Sequence, residues 1–452
     1  MASIAASIAR IKRDGLGALK RSVVEQVCNE LGYTWRQREL DPATTVALFV
    51  QQILHGNVPC SEVRHLAAKS FTPSAYCQAR VRLPLAVVQS LLRRVCAAAF
   101  VATQQPKHLW LGRHRVFHID GSTFSMPDTP ELREVFGLPY GPKDGCGFPM
   151  AHLLVLFHAQ TGLLLEAWAS PLRTSDLAHL LEAHGCLKSG DVLIGDESFS
   201  SYAHLAMLMG QGLHGLFPLH RKRVVDFTPG RPHCTAGGGR DRVAGIPRSR
   251  WIKSLGWQDQ LVEYFKPPEI PAWMSPEQYD ALPESIIVRE LRRTVHRKGL
   301  KNVTLTMVTT LLDPAVYPAS QILELRLRRW DVETNLRHLK TTMNMDQLHC
   351  RSEQGVRKEL AVFCLVYNLV RVVMLEAARR QEVAVARVSF ADALKWMRHA
   401  RPGDTLPELI VNPRRPDRAE PRCIKRRLKE YALMNKPRDV LRKKLRKQRK
   451  KA

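Results

Sequence analysis

The sequence predicts an α/β protein. Its mixed sheet is interrupted by a β-rich insertion, preceded by an all-helical N-terminal domain and followed by a basic helical or disordered tail. Three observations carry this. Apolar residues recur with a 3.6-residue period as far as about residue 105 and with strand-like spacing beyond it. Strands and helices then alternate after a hairpin, which builds a sheet of mixed direction. Residues from about 220 to 300 break that rhythm, and the chain closes on RKKLRKQRKKA.

Helices are predicted at Val23–Leu31, Thr44–His55, Cys60–Lys69 and Leu85–Ala99, punctuated by Asp41-Pro42 and Thr72-Pro73-Ser74. The segment FTPSAYCQARVRLP is a tight connection between two of them. Val116–Asp120 is the first core strand, and Met150–Phe157 with Gly162–Trp168 forms a hairpin across HAQTG. Helix Asp176–His184, strand Val192–Gly195, helix Tyr202–Met209 and strand Gly215–Leu219 follow. The interruption holds Gly237-Gly238-Gly239, several prolines and short β-prone pieces such as Ile286–Leu291. Strand Val303–Leu311 resumes the sheet, and long helices run over Leu323–Met343 and Gly355–Ala378.

The chain has 452 residues, 45% hydrophobic and 25% charged, enough to fold as two or three domains. Its net charge of +27 calls for a polyanionic partner, because each Lys or Arg that meets a phosphate releases counterions. No apolar run approaches the roughly 18 residues of a membrane span, so nucleic acid is the expected partner and a membrane is not. The N-terminal helices are then a candidate DNA-binding module, with a plain bundle as the alternative. The acid-poor stretch MASIAASIARIKRDGLGALKRS suits an amphipathic first helix better than a transit peptide. Ten cysteines without a C-x-x-C pair indicate a reduced, intracellular protein, and His233-Cys234 and His349-Cys350 are lone pairs rather than zinc sites.

The most informative stretch is LRLRRWDVETNLRHLK, from Leu325 to Lys340. As a helix it gathers Arg326, Arg329, Glu333, Arg337 and Lys340 on one face, opposite Leu325, Val332, Leu336 and Leu339. One acid among four cations suits a metal ligand working beside a polyanion; a solvated charged face is the plain alternative. Asp120 and Asp196 both end core strands, where ligands gather in open α/β sheets. With Glu333 they could hold two divalent cations for phosphoryl displacement, and magnesium suits oxygen donors. Asp120 before Gly-Ser could instead form a turn, and Asp196 could cap the next helix. Asp191, Glu197 and Asp331 are rivals, but Asp191 precedes its strand and Asp331 lies about 200° around the helix from Glu333.

The run Arg326-x2-Arg329-x3-Glu333-x6-Lys340 resembles the Y-x2-R-x3-E-x6-K signature of the insertion-sequence-4 family of DDE transposases. So do DGST at Asp120, the strand-ending Asp196, and TTMNMDQLHCRSEQGVRKELAVFCLVYNLVR from Thr341 to Arg371. The resemblance spans residues 110 to about 375. It implies a ribonuclease H-like catalytic core at 106–220 and 301–400, split by the β-rich insertion at 221–300. A DNA-binding domain would occupy 1–105 and a basic tail 401–452.

The resemblance implies catalytic, metal-binding roles for Asp120, Asp196 and Glu333, with two Mg²⁺ or Mn²⁺ ions. Arg329 and Lys340 would contact phosphates, and Arg337 shares their face. Arg326 stands where the family has tyrosine; it can bind phosphate bidentately but has no phenol. Trp330 would either stack on a base turned out of the duplex or pack the helix, and Trp251, Trp257 and Trp273 are further aromatic candidates. The implied activity is cut-and-paste transposition: cleavage at terminal inverted repeats, hairpin ends, and transfer into target DNA. A homodimer in a synaptic complex is implied too, at the nucleoid in a bacterial cytoplasm. Two alternatives are a decayed or domesticated, non-catalytic DNA-binding protein, favoured by Arg326, and a ribonuclease H-like metal-dependent nuclease that does not join strands.

Overall fold

The computed structural model describes residues 19–67, 70–101, 109–139, 146–220, 222–234, 245–296, 302–400, 404–411 and 436–449. Helices come first: α1 (Arg21–Glu30), α2 (Pro42–Leu54), the short α3 (Cys60–Val63), α4 (Pro73–Arg82) and α5 (Leu85–Val101). Asp41 caps α2 by accepting from the Thr44 N–H, and Thr72 caps α4 through the Ala75 N–H. Each cap is followed by a proline in the first turn, where its missing N–H costs nothing. The expected tight connection is therefore helix α4: Thr72-Pro73 is a start signal, not only a break. The expected helix Cys60–Lys69 shortens to α3.

The sheet begins with β1 (Val116–Ser125), which runs past Asp120. Thr129 caps the unexpected α6 (Pro130–Phe136). The hairpin β2 (Met150–His158) and β3 (Leu164–Pro171) is present as expected, turning through Gly162 at φ +66°. A 3₁₀ turn (Asp176–His179), α7 (Leu180–Gly185), β4 (Val192–Ile194), a second 3₁₀ turn (Glu197–Ser200), α8 (Tyr202–Gly210) and β5 (His214–Pro218) follow. Then come β6 (Ser249–Gly256), β7 (Asp259–Phe265), α9 (Pro276–Asp280), β8 (Ser285–Val295) and β9 (Val303–Thr309).

These strands form one nine-stranded sheet of order β3-β2-β1-β4-β5-β9-β8-β7-β6. β4 lies parallel to both β1 and β5, and the other pairings are antiparallel. The β-rich stretch is thus continuous with the core: β6, β7 and β8 pair in turn and reach β5 through β9.

The helix expected over Leu323–Met343 is divided into α10 (Ala319–Leu327), α11 (Trp330–Arg337) and a π-helical turn (His338–Thr342). α12 (Glu353–Arg380) is the central helix, packed with α2, α5 and the hairpin strands in the largest apolar cluster. By length and composition it could cross a membrane, contrary to the sequence expectation, but 83% of its apolar window is buried within the fold. Its Asn368 side chain ties β3 to the core, donating to Leu164 O (2.7 Å) and accepting from Leu164 N (2.8 Å). On the other sheet face α7 and α8 cover Phe117, Ile119, Leu154 and Leu193. α13 (Phe390–His399) and the basic α14 (Arg438–Arg449) complete the described elements. α14 brings Arg438 to 3.6 Å from Asp128 and 4.2 Å above the Phe148 ring. Residues 1–18, Gly237-Gly238-Gly239 and the tail from 412 to 435 lie outside the described residues.

Candidate active site

Parallel pairing sets Val116, Phe117 and His118 beside Val192, Leu193 and Ile194. Alternate residues of a strand share a face. Asp120 and Asp196, each two residues past the His118–Ile194 pair, therefore stand at the same level. Asp196 lies just beyond the end of β4 and Asp120 within β1, which continues through the position where the sequence predicts its end. Gly195 leaves room there for the buried Phe199 ring, from which a Cβ would stand 2.6 Å. Asp196 caps the 3₁₀ turn after it: Oδ1 accepts from Ser198 N (2.8 Å) and Ser198 Oγ (2.5 Å). The capping and site readings of Asp196 hold together, because capping engages one oxygen.

The α10–α11 segment lies over this face of β1. Arg329 Nη2 donates to both Asp120 oxygens at 3.3 Å, and its Nη1 donates to Glu333 Oε1, also at 3.3 Å. These are long for charge-assisted bonds, which run to roughly 2.7–2.9 Å, so the guanidinium is shared rather than locked. Lys340 Nζ donates to Ser122 Oγ at 2.9 Å, two residues beyond Asp120 on the same face. The helix irregularities fall inside the signature. Arg329 N bonds to Arg326 O (3.2 Å) in a tightened turn, and Lys340 sits in the π-helical one. Such π turns recur at functional sites.

Electrostatics set these residues apart. Burial pushes Asp120 up to about 6; Arg329 opposes this, while the Asp196 and Asp176 charges reinforce it. Arg326 is pushed down to about 10 by burial and by Arg329, against the pull of Asp196, Asp120 and Glu333. Burial also lowers Lys340. His118 is pushed down to about 3 by burial and by Arg329, Arg326 and Arg328. Both of its ring nitrogens, and the Nε atoms of Arg326 and Arg329, are buried without a hydrogen-bond partner.

Of the sequence candidates, Asp120, Asp196, Arg326, Arg329, Glu333 and Lys340 come together here. Glu333 is exposed and joins Asp120 through Arg329 rather than directly. Among the described residues, no three His, Cys, Asp or Glu side chains stand close enough together to hold a metal ion. Arg337 is exposed, and the Trp330 side chain lies outside the described residues. Trp257 is 76% exposed at the β6–β7 turn, while Trp251 lies on β6 and Trp273 packs against the cluster under α8. The rival Asp191 is held by Arg115 and by the Lys188 N–H (2.7 Å) at the far end of β4.

Sequence reasoning missed Asp176. A Cβ on Gly121 would stand 2.2 Å from Asp176 Oδ1, so Gly121 makes room for a further acid across β1 from Asp120. Asp176 Oδ1 also lies 2.5 Å from His152 Nε2. The glycine of DGST was its only trace in the sequence.

Residues 111–369 match the family model described as Transposase DDE domain. The chain is 26% identical over 384 residues to the transposase InsG of insertion sequence element IS4 from Escherichia coli, covering 79% of this chain and 78% of InsG. It is 34% identical over 150 residues to the putative transposase InsZ of the same organism, covering 32% of this chain and 49% of InsZ. Among solved structures, a piggyBac transposase synaptic complex with hairpin DNA overlays at a TM-score of 0.41 with 10% identity, covering 84% of this chain and 78% of that one. That overlay is too loose to carry argument. The family match spans more than half of the chain, and the chain belongs to the DDE transposases, in the insertion-sequence-4 family.

Proposed function

We propose that Asp120, Asp196 and Glu333 are the catalytic carboxylates of this transposase and hold its divalent cations, two Mg²⁺ or Mn²⁺. The observation that carries this is the parallel register, which delivers Asp120 and Asp196 to one level beneath the Arg329–Glu333 helix. The donors suit such ions in chemistry, while Arg329 stands between Asp120 and Glu333 and the three carboxylates would have to draw together to hold one. Their donors are hard oxygens, and burial beside a second acid lifts Asp120 to about 6, so the site needs positive charge. Arg329 supplies that charge now, at 3.3 Å from Asp120 and from Glu333. Bound cations would neutralise the carboxylates and stabilise the entering and leaving oxygens of an in-line displacement.

With the acids so neutralised, Arg329 would be free to contact a phosphate oxygen beside the scissile bond. Arg326 and Lys340 bracket it, and Arg326 binds phosphate in place of a tyrosine. Nicking, hairpin formation and strand transfer are all phosphoryl displacements, so one site serves each in turn. We read β1–β5 as the ribonuclease H-like core and β6–β8 as its insertion; the strand order and the mixed directions support this. The helical segment before the sheet reads the terminal repeats, the basic tail adds phosphate affinity, and two copies bring the ends together.

The test is purified protein with Mg²⁺ or Mn²⁺ and a plasmid carrying the native flanking inverted repeats, beside Asp120→Ala, Asp196→Ala and Glu333→Ala. Metal-dependent excision, lost in every variant, is expected. Cleavage without end specificity would point to a nuclease, and binding without cleavage to a non-catalytic DNA-binding protein.

A further inference from the structure

Far from the carboxylates in sequence, the connection between α1 and α2 is built with unusual firmness. Gly32, at φ +65°, closes α1: its N–H donates to Asn29 O (3.0 Å), and the Tyr33 N–H donates to Cys28 O (2.8 Å). This pair of bonds is a Schellman motif, and it fixes where Tyr33 leaves the helix. At the other end Asp41 is spent internally, accepting from Thr44 N (2.8 Å) and pairing with Arg21 (2.5 Å). Between these anchors Tyr33 and Trp35 stack, with ring centroids 6.3 Å apart and planes 26° from parallel.

The aromatic pair lines a cavity of about 290 Å³, together with Arg36, Arg38 and Arg82. All three arginines are exposed, and among the described residues none is paired with a carboxylate, while the cavity's acid, Asp41, is already neutralised. Burial raises the Tyr33 phenol, and Arg82 is near enough to pull it back. A stacking platform framed by three free guanidinium groups is complementary to one ligand chemistry, a flat ring flanked by phosphates. The volume lies just below the roughly 300 Å³ where small-ligand pockets begin, so it suits one nucleotide unit.

We infer that this cavity captures an unpaired nucleotide of DNA, with the base on Trp35 and Tyr33 and the neighbouring phosphates on Arg36, Arg38 and Arg82. The inference rests on DNA being this protein's substrate and adds a contact for single strands. A base inside a duplex keeps its stack and cannot enter; a base in a single-stranded segment can, and base–aromatic stacking is tolerant of sequence.

The test uses the full chain and a single-stranded oligodeoxythymidine carrying one 5-iododeoxyuridine, beside a duplex of equal length. Photocrosslinking followed by peptide mapping should place the adduct on Tyr33 or Trp35. Arg36→Gln with Arg38→Gln changes exposed side chains only, and should weaken single-strand binding about tenfold with duplex binding changed less than twofold. Trp35→Ala should do the same, with melting temperature measured in parallel and Trp35→Phe restoring binding. Crosslinks confined to other segments, or equal losses on single strand and duplex, would overturn the cavity's role while leaving the transposase reading intact. Failure to bind either DNA would bring down both.

Discussion

The two halves of the nine-stranded sheet use the same side chains to opposite ends. In the β6–β9 half, Asp259 is closed off by Arg289 at 2.8 and 2.6 Å, with Arg293 at 3.4 Å, and Arg289 has no exposed surface. Glu290 beside it accepts from Gln260 (2.8 Å) and Tyr264 (2.7 Å). In the β1–β5 half, Asp120 and Glu333 share one arginine at 3.3 Å, and burial lifts Asp120 to about 6. An acid met by a buried, bidentate arginine is a structural part. An acid with a long, loosely shared cation keeps the capacity to exchange partners, which chemistry requires.

Substitutions should separate the halves. Asp120→Asn, Asp196→Asn and Glu333→Gln should each reduce plasmid cleavage by on the order of 10³-fold or more, with melting temperatures near that of the parent. The reverse is expected at Asp259→Ala. Removing one partner of a buried pair strands Arg289, at a cost of roughly 3–5 kcal/mol by denaturant titration. Cleavage per folded molecule should be unchanged, and Asp259→Leu with Arg289→Met should recover most of the stability. A destabilised Asp120→Asn, or an Asp259→Ala that folds normally without cleaving, would erase the distinction.

Acid should attack the fold through its buried imidazoles. Burial pushes His118, His158 and His204 down to about 3, and His184 and His338 to about 4. These values lie below the ordinary 6.5 or so, so the unfolded chain takes up protons first. Stability is therefore full above pH 6.5 and is lost as pH falls toward 4, by about 1.4 kcal/mol per histidine per pH unit. Asp120 acts in the opposite sense: its raised value lets the folded state bind a proton between about pH 6 and 4, but it is one group against several. Melting curves from pH 7 to pH 5 should show the fall. The smallest effect is expected at Lys340→Ala, which should lower the slope of log affinity against log salt by about 1.

Much of this was legible in the sequence, for identifiable reasons. Asp120 and Asp196 were visible because each closes an apolar strand-like run, although β1 continues through Asp120, and Glu333 because one acid among cations is rare. Their register was not, since pairing of β1 with β4 joins residues far apart in the chain. The sharing of Arg329 between Asp120 and Glu333 was hidden for the same reason, and Asp176 because it enters from the 3₁₀ turn after β3. The β-rich stretch showed as strands but not as part of the same sheet, because only its pairing through β9 reveals that. α12 was legible as a long helix over Gly355–Ala378, but not as one apolar enough to span a membrane, because Asn368 and Arg371 break the apolar run while making buried contacts to β3 and to Thr161 O.

The central claim is that three distant segments share one divalent-cation centre. The most direct measurement loads Fe²⁺ in place of Mg²⁺ and maps where hydroxyl radicals, generated with ascorbate and peroxide, cut the protein backbone. Cuts beside Asp120, Asp196 and Glu333 together, suppressed by excess Mg²⁺ and lost in Asp120→Asn, are the predicted result. Cuts confined to one segment, or a pattern that Mg²⁺ leaves untouched, would contradict it.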